Sequence, residues 1–352
     1  MRLRPADKYS VHALVAWRHR YVTARLAMEI SAIQKALWSV IPSPLDATLS
    51  SIKELTVGSL HTLYLLTMVD GSRLVLKIAP SQNARLLRHE QEGLKTEAEV
   101  LQTLGAQGQI PVPRVLKYDA YGAELGAPYI LMEYVPGMPL KELHPCLDAN
   151  DKYYVDRQLG RFFYYISATP QLQLSFGPLV RVISGAGFDR WGEAFLSLVE
   201  AVLRDAEDLV VLLPYEQIRK EMDRLSPVLD DVREARLVVM NEGYSNILLD
   251  SRTKKVTAVL DYGRVVLGDP MLSEIFATGS SAFFEGFGSY PSLVGRGRIR
   301  QLLYACYRAI IAVVMAYYRP DRTTIPELEA RRQLLEALSL LAVEEGLELE
   351  HS

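Results

Sequence analysis

The sequence predicts an α+β protein in which a small antiparallel sheet precedes a larger, mainly helical region. Three observations point there. Two apolar runs, Leu63 to Val69 and Arg73 to Ile78, meet at Asp70-Gly71, a residue pair that favours a tight hairpin. A third run, Tyr129 to Val135, is bounded by Pro136-Gly137 and reads as a buried strand. From there to the C-terminus the apolar spacing is mostly helical, interrupted by short extended runs over residues 236–250 and 255–261 that bracket a loop.

Taken in order, residues 10–41 carry apolar side chains at helical spacing, among them Leu14, Trp17, Tyr21, Ile30, Ile33 and Leu37, until Pro42 and Pro44 stop the pattern. One or two helices are therefore expected ahead of the sheet. Leu86 to Leu104 reads as a helix charged on one side, broken by Pro111-Val112-Pro113. A helix begins near Trp191 and carries Asp205, Glu207 and Asp208, an acidic run that usually marks a solvated face. Thr278 to Gly297 is rich in Gly, Ser and Phe and reads as a loop, either covering a substrate or simply connecting helices. Leu302 to Tyr318 is strongly apolar but contains Arg308, and its uninterrupted part falls well short of the ~20 residues a membrane-spanning helix needs. It reads as a core helix.

Bulk properties narrow the function classes. Of the 352 residues, 49% are hydrophobic and 23% charged, as in an ordinary globular chain with room for a sizeable core. The net charge of −3 offers no electrostatic footprint for nucleic acid. The six histidines are scattered without metal-ligand spacing. Cys146 and Cys306 are expected to be buried free thiols, which suits a reducing compartment. Arg2 and Arg4 are followed by no apolar run, and Arg18-His19-Arg20 interrupts the segment, so no secretory leader is expected. Together these give the expectation of a cytoplasmic protein with neither nucleic-acid nor membrane partners.

Four features carry chemistry. Lys77 ends an apolar strand, where an ammonium must be paired if buried; it either marks the exposed end of an edge strand or reaches nucleotide phosphates, with Glu97 or Glu99 on the next helix as carboxylate partner. Gly58-Ser59 ahead of the hairpin would let the backbone approach a phosphate closely, or is only a turn. Asn246 and Asp261 each border an apolar extended run. Two oxygen donors on adjacent short strands suit a hard cation shared with phosphates, although both residue types also favour turns.

The ordered set resembles the aminoglycoside phosphotransferase and choline kinase group, which has a protein-kinase-like fold. The matching stretches are Val75-Leu76-Lys77-Ile78, Glu97-Ala98-Glu99-Val100-Leu101, Pro111-Val112-Pro113-Arg114-Val115-Leu116, Leu131-Met132-Glu133-Tyr134-Val135-Pro136-Gly137, Asn246-Ile247-Leu248-Leu249-Asp250, Val259-Leu260-Asp261-Tyr262 and Gly268-Asp269-Pro270. The resemblance implies a two-lobed fold: a helical extension over residues 1–45, a nucleotide-binding lobe over 46–135, and a helical lobe over 136–352 with catalytic loop, metal site and acceptor pocket. It implies an ATP- or GTP-dependent, Mg2+-dependent phosphotransferase acting on a hydroxyl of a small molecule or peptide. Lys77 would hold the phosphates, with Glu97 the favoured partner; Glu133, Tyr134 and Val135 would form the adenine-binding hinge; Asn246 and Asp261 would bind Mg2+; and Asp269 would brace the catalytic loop.

The chain departs from that pattern at Asn241, which stands five residues before Asn246, where the group carries a catalytic aspartate. An amide cannot accept a proton as a carboxylate does. Three readings stay open: natural loss giving a weak kinase or a pseudokinase, an engineered substitution that traps a complex, or substitution by Glu242 one residue on. Gly263 and Glu274 are further departures on the acceptor side. The alternative function is a nucleotide-binding or partner-binding protein without catalysis; the N-terminal helices then either simply pack on the small lobe or offer the partner surface.

Overall fold

The computed structural model describes residues 31–39, 48–55, 60–81, 83–170, 175–240, 243–320 and 325–344. The chain divides into two compact units. The first comprises Met1–Ser81 with Leu116–Tyr134, the second Gln82–Val115 with Val135–Ser352.

The first unit is a five-stranded antiparallel sheet of β1 (Leu49–Leu55), β2 (Thr62–Met68), β3 (Arg73–Ile78), β4 (Val115–Asp119) and β5 (Tyr129–Glu133), with β2 and β3 joined through the expected Asp70-Gly71 turn. The strand order is β1-β2-β3-β5-β4, so β3 is central. Gly71 has φ +84°, the left-handed conformation such a turn requires. Side chains alternate across a strand, and Leu66 and Met68, Leu74 and Leu76, Tyr129 and Leu131 all point to one face. There they pack on Ile33, Ala36 and Leu37 of a helix over residues 31–38, α1. That helix is the described part of the predicted N-terminal helices; residues 10–30 and 40–41 lie outside the described residues.

The second unit starts with α2 (Gly93–Gln107), ended by Gly108 at φ +67°. Residues 82–115, read from sequence with the 46–135 lobe, thus group with the helical unit. Two three-stranded sheets follow: β6 (Met138–Pro139) with β9 (Ile247–Leu249) and β10 (Val256–Val259), and β7 (Gly177–Pro178) with β8 (Arg236–Val239) and β11 (Val265–Gly268). The helices are α3 (Leu140–Leu143), α4 (Ala149–Ser167), α5 (Leu179–Ile183), α6 (Trp191–Asp208), α7 (Tyr215–Leu225), α8 (Glu274–Thr278), α9 (Ser281–Phe287), α10 (Gly295–Tyr318) and α11 (Glu327–Val343). A large core joins α6, α7, α10 and α11 around Trp191, Phe195, Leu203, Tyr304 and Ile310. Helix α10 is long and apolar enough to cross a membrane by composition, yet Leu303, Tyr304, Ile310, Val313 and Val314 are wholly buried in that core.

Three expectations are corrected. Residues 278–297 are not a loop throughout: α9 seats Phe283, Phe284 and Phe287 in the interior, Phe276 and Phe283 pack edge to face on Phe163 of α4, and Phe287 packs edge to face on Phe276. The helices α4 and α9 cross at Gly160 and Gly286, where a β-carbon on either would overlap the other's backbone. Cys146 is exposed rather than buried, because it lies in a short 3-10 turn at the surface; Cys306 is buried as expected. Asp205 does not face solvent: it is 1% exposed and accepts the Arg88 backbone N–H at 3.1 Å and its guanidinium, so the acidic run is partly an internal anchor.

Candidate functional site

In the first unit Lys77 is buried in the middle of the sheet, opposite Leu63 on β2 and Ile130 on β5. This excludes the exposed-edge reading. Alternation from Leu74 and Leu76 places Lys77 on the sheet face opposite α1. Glu133 ends β5 opposite Leu74. The Tyr134 N–H donates to the Arg73 carbonyl at 3.2 Å, and its ring lies 4.1 Å beneath the Arg73 guanidinium. Val135 opens the second chain segment of the second unit. Gly58 and Ser59 lie outside the described residues.

In the second unit the two carboxylate candidates of α2 separate. Glu97 is 3% exposed, whereas Glu99 faces solvent. Spacing decides this, since positions 97, 98, 100, 101 and 104 form the buried stripe of the helix. Beside Glu97 is Tyr262, fully buried, its phenol pushed far up by desolvation and by the Glu97 charge. Glu97 and Lys77 belong to different units.

Asn246 closes a 3-10 turn, Gly243–Asn246, and leads into β9; Asp261 follows β10 by two residues. The antiparallel register pairs Ile247 with Val259, and the Asn246 carbonyl accepts the Leu260 N–H at 2.8 Å. The pairing brings Asn246 and Asp261 to one end of the hairpin although fifteen positions of sequence separate them. Asp261 is exposed, with φ +63°, a left-handed conformation that costs a non-glycine residue roughly 1–2 kcal/mol. A strained backbone at an exposed carboxylate is the kind of feature that function preserves. Asn241 and Glu242 lie outside the described residues. Met240, immediately before them, donates its N–H to the Arg264 carbonyl at 2.8 Å and so ties the start of that loop to the segment after Asp261.

Asp269 caps a 3-10 turn, accepting the Met271 N–H at 3.0 Å and the Tyr304 hydroxyl at 2.8 Å. Tyr304 in turn accepts from the Trp191 indole N–H at 2.8 Å. Burial pushes the Asp269 carboxyl above its ordinary value. These bonds hold α6, α10 and the turn together. One contact that reaches the Gly243–Asn246 turn comes from Asp156 of α4, which sequence reasoning did not single out. It accepts the Tyr244 hydroxyl at 3.1 Å and the Ser280 hydroxyl at 2.6 Å, and burial with the Asp156 charge pushes the Tyr244 phenol up to about 12. Asp156 is an acid in the buried stripe of α4, beside Val155 and Leu159, and that mismatch was the available signal.

The donor set at the hairpin end fits a hard cation: an amide oxygen and a carboxylate are ligands Mg2+ takes together with phosphate oxygens and water. Among the described residues no group of three His, Cys, Asp or Glu side chains offers a self-sufficient metal site.

Compared with known proteins, residues 51–272 match the model of the phosphotransferase enzyme family. Altered inheritance of mitochondria protein 9 of Candida tropicalis is 36% identical over 100 residues; that match covers 28% of this chain and spans 16% of the length of the relative. Among solved structures, the aminoglycoside phosphotransferase APH(4)-Ia is similar with a TM-score of 0.60 at 16% identity, over 88% of this chain and 98% of that one. A protein described as fructosamine-3-kinase from Thermobifida fusca gives 0.61 at 16%, over 89% and 99%. The streptomycin–ATP complex of APH(2'')-IIa gives 0.55 at 14%, over 89% and 96%. At these identities the likeness is one of fold: a small antiparallel-sheet unit and a helical unit, as in the protein kinases.

Proposed function

This chain belongs to the phosphotransferase enzyme family, and from that premise we propose that it transfers the terminal phosphoryl group of ATP or GTP, with Mg2+, to a hydroxyl of a small molecule or peptide. The observation that carries the reading is the convergence of Asn246 and Asp261 at one hairpin end, with Asp261 in a strained backbone conformation. In this reading Asn246 and Asp261 hold Mg2+. Bound there, the metal would neutralise the phosphate charge that develops during transfer. Lys77 holds the nucleotide's phosphates by its ammonium, and the Glu133–Val135 backbone hydrogen-bonds the base. The Asp156–Tyr244 bond keeps the Asn246 turn in place.

Asn241 favours a second reading, a nucleotide-binding protein that does not turn over. General-base assistance is worth ~10²–10⁴-fold in rate, but phosphoryl transfer rests chiefly on positioning and charge, so its loss slows rather than forbids the reaction. Calorimetric titration with a non-hydrolysable ATP analogue, with and without Mg2+, tests what both readings share. Mg2+-dependent binding that Asp261→Ala weakens about tenfold or more is expected; binding indifferent to Mg2+ and to the substitution would remove the assignment of the metal site.

A further inference from the structure

The second unit contains a cavity of about 490 Å³ that the reading above does not use. Helix α10 presents Ala305, Ala309 and Ala312 to it, one face of small side chains, and Leu272, Ile311 and Leu340 complete apolar walls. Two guanidinia line the cavity, those of Arg264 and Arg308. Arg308 is half-buried, its Nη1 donates to the Leu272 carbonyl at 3.2 Å, and desolvation lowers its pKa below the ordinary value. A guanidinium has five N–H donors in a planar fork suited to a carboxylate or phosphate. The two acidic residues of the cavity, Glu274 and Glu336, are exposed, and Glu336 lies 3.9 Å from Arg332 on its own helix. Both carboxylates are more exposed than Arg308, and Glu274 acts on its guanidinium by charge.

A second cavity, of about 420 Å³, shares Met240 and Arg264 with the first. It adds Arg88, Lys95 and Arg181 against Glu92 alone. Among the described residues, neither cavity has the buried carboxylates that a polycation would need on leaving water. Met240, in the wall of both, directly precedes the loop position at which the family reading places acceptor activation.

We propose that the larger cavity is the acceptor subsite and takes an amphiphilic hydroxy compound with an apolar body and one anionic group, carboxylate or phosphate, which Arg308 pairs. The proposal rests on the phosphotransferase reading. The acceptor oxygen forms the new P–O bond as the terminal phosphoanhydride bond of ATP breaks; ADP leaves with the bridging oxygen, and the hydroxyl proton passes to water.

Calorimetric titration of the full chain with ω-hydroxydecanoate, ω-hydroxydecyl phosphate, the corresponding uncharged diol and kanamycin tests it, with the ATP analogue titrated in parallel. At least one anion should bind about tenfold more tightly than the diol. Arg308→Met should weaken that anion about tenfold while leaving the diol unchanged, and Ala312→Phe, which fills the cavity, should weaken both. The two anions distinguish a carboxylate from a phosphate head. The proposal is overturned if neither anion binds, if kanamycin binds more tightly than both, or if Arg308→Met and Ala312→Phe leave the anion's affinity intact. Nucleotide binding without anion binding sinks this proposal alone; anion binding as described without nucleotide binding sinks the phosphotransferase reading instead.

Discussion

The carbonyl of Asn246 accepts the N–H of Leu260 at 2.8 Å, one residue before Asp261. That bond extends the Ile247–Val259 pairing past the end of β9. It fixes which residues stand side by side where the hairpin ends. A one-residue slip would turn the buried Ile247, Leu249 and Val259 outward, so burial of those side chains also protects the register of the two polar residues.

Asp261 combines strain with a proposed ligand role, and Asp261→Gly separates the two. Glycine adopts positive φ without the side-chain clash, offset by its greater freedom in the unfolded chain. The variant should be as stable as the parent or more stable by up to about 1 kcal/mol in urea unfolding, while Mg2+-dependent nucleotide binding is lost. Loss of both together would mean the residue acts structurally.

A second prediction concerns packing. Gly268 ends β11 beneath Trp191, and a β-carbon there would overlap the indole ring. Both are backed by the core, so the ring has little room to yield. Gly268→Ala should destabilise by about 1–3 kcal/mol. Gly105→Ala, in the last turn of α2 with only Val112 nearby at 3.9 Å, should instead be neutral or stabilise by up to about 1 kcal/mol. Denaturant midpoints of the two variants check both signs.

Tyr304→Phe removes one oxygen with two buried partners. The Trp191 indole loses its acceptor and the Asp269 carboxylate a donor. Each unsatisfied buried group costs about 1–3 kcal/mol, so the loss should be well above that of a surface substitution. Stability equal to the parent's would show that the chain of hydrogen bonds contributes nothing net.

Much of the fold was legible because local rules and burial agree. The Asp70-Gly71 hairpin, the Pro136-Gly137 stop and the start of α6 at Trp191 all followed from turn chemistry and spacing. The 278–297 segment was misread because its glycines resemble loop punctuation; Gly286 serves helix crossing instead, a tertiary demand that sequence spacing does not reveal. Glu97 and Glu99 could not be separated until the buried stripe of α2 was defined. Arg308 was visible as a charge in an apolar helix, but only the surrounding alanines show that it borders a cavity rather than solvent.

Acid stability should report on Asp231. Arg296 binds its carboxylate through two hydrogen bonds of 2.8 Å, and Arg300 adds a third at 3.1 Å. These hold its pKa below 3.8, the Arg296 bond being the largest cause. A depressed carboxyl binds fewer protons when folded than when unfolded, so its contribution is present above 3.8 and is lost as pH falls through the lower folded value. The stability gap between the parent and Asp231→Asn should therefore narrow below that pH and stay constant above it. A gap that widens on acidification would contradict the assigned ion pairs.

The most direct test of the account is phosphoryl transfer itself. ADP production from ATP with Mg2+ is to be followed with the amphiphilic hydroxy acids as acceptors, for the parent and for Asn241→Asp. The account predicts acceptor-dependent turnover, raised by ~10²–10⁴-fold when a carboxylate replaces the Asn241 amide, and abolished in either background by Asp261→Ala. Turnover in neither protein, with nucleotide shown to be bound, would contradict it and leave a binding protein in place of an enzyme.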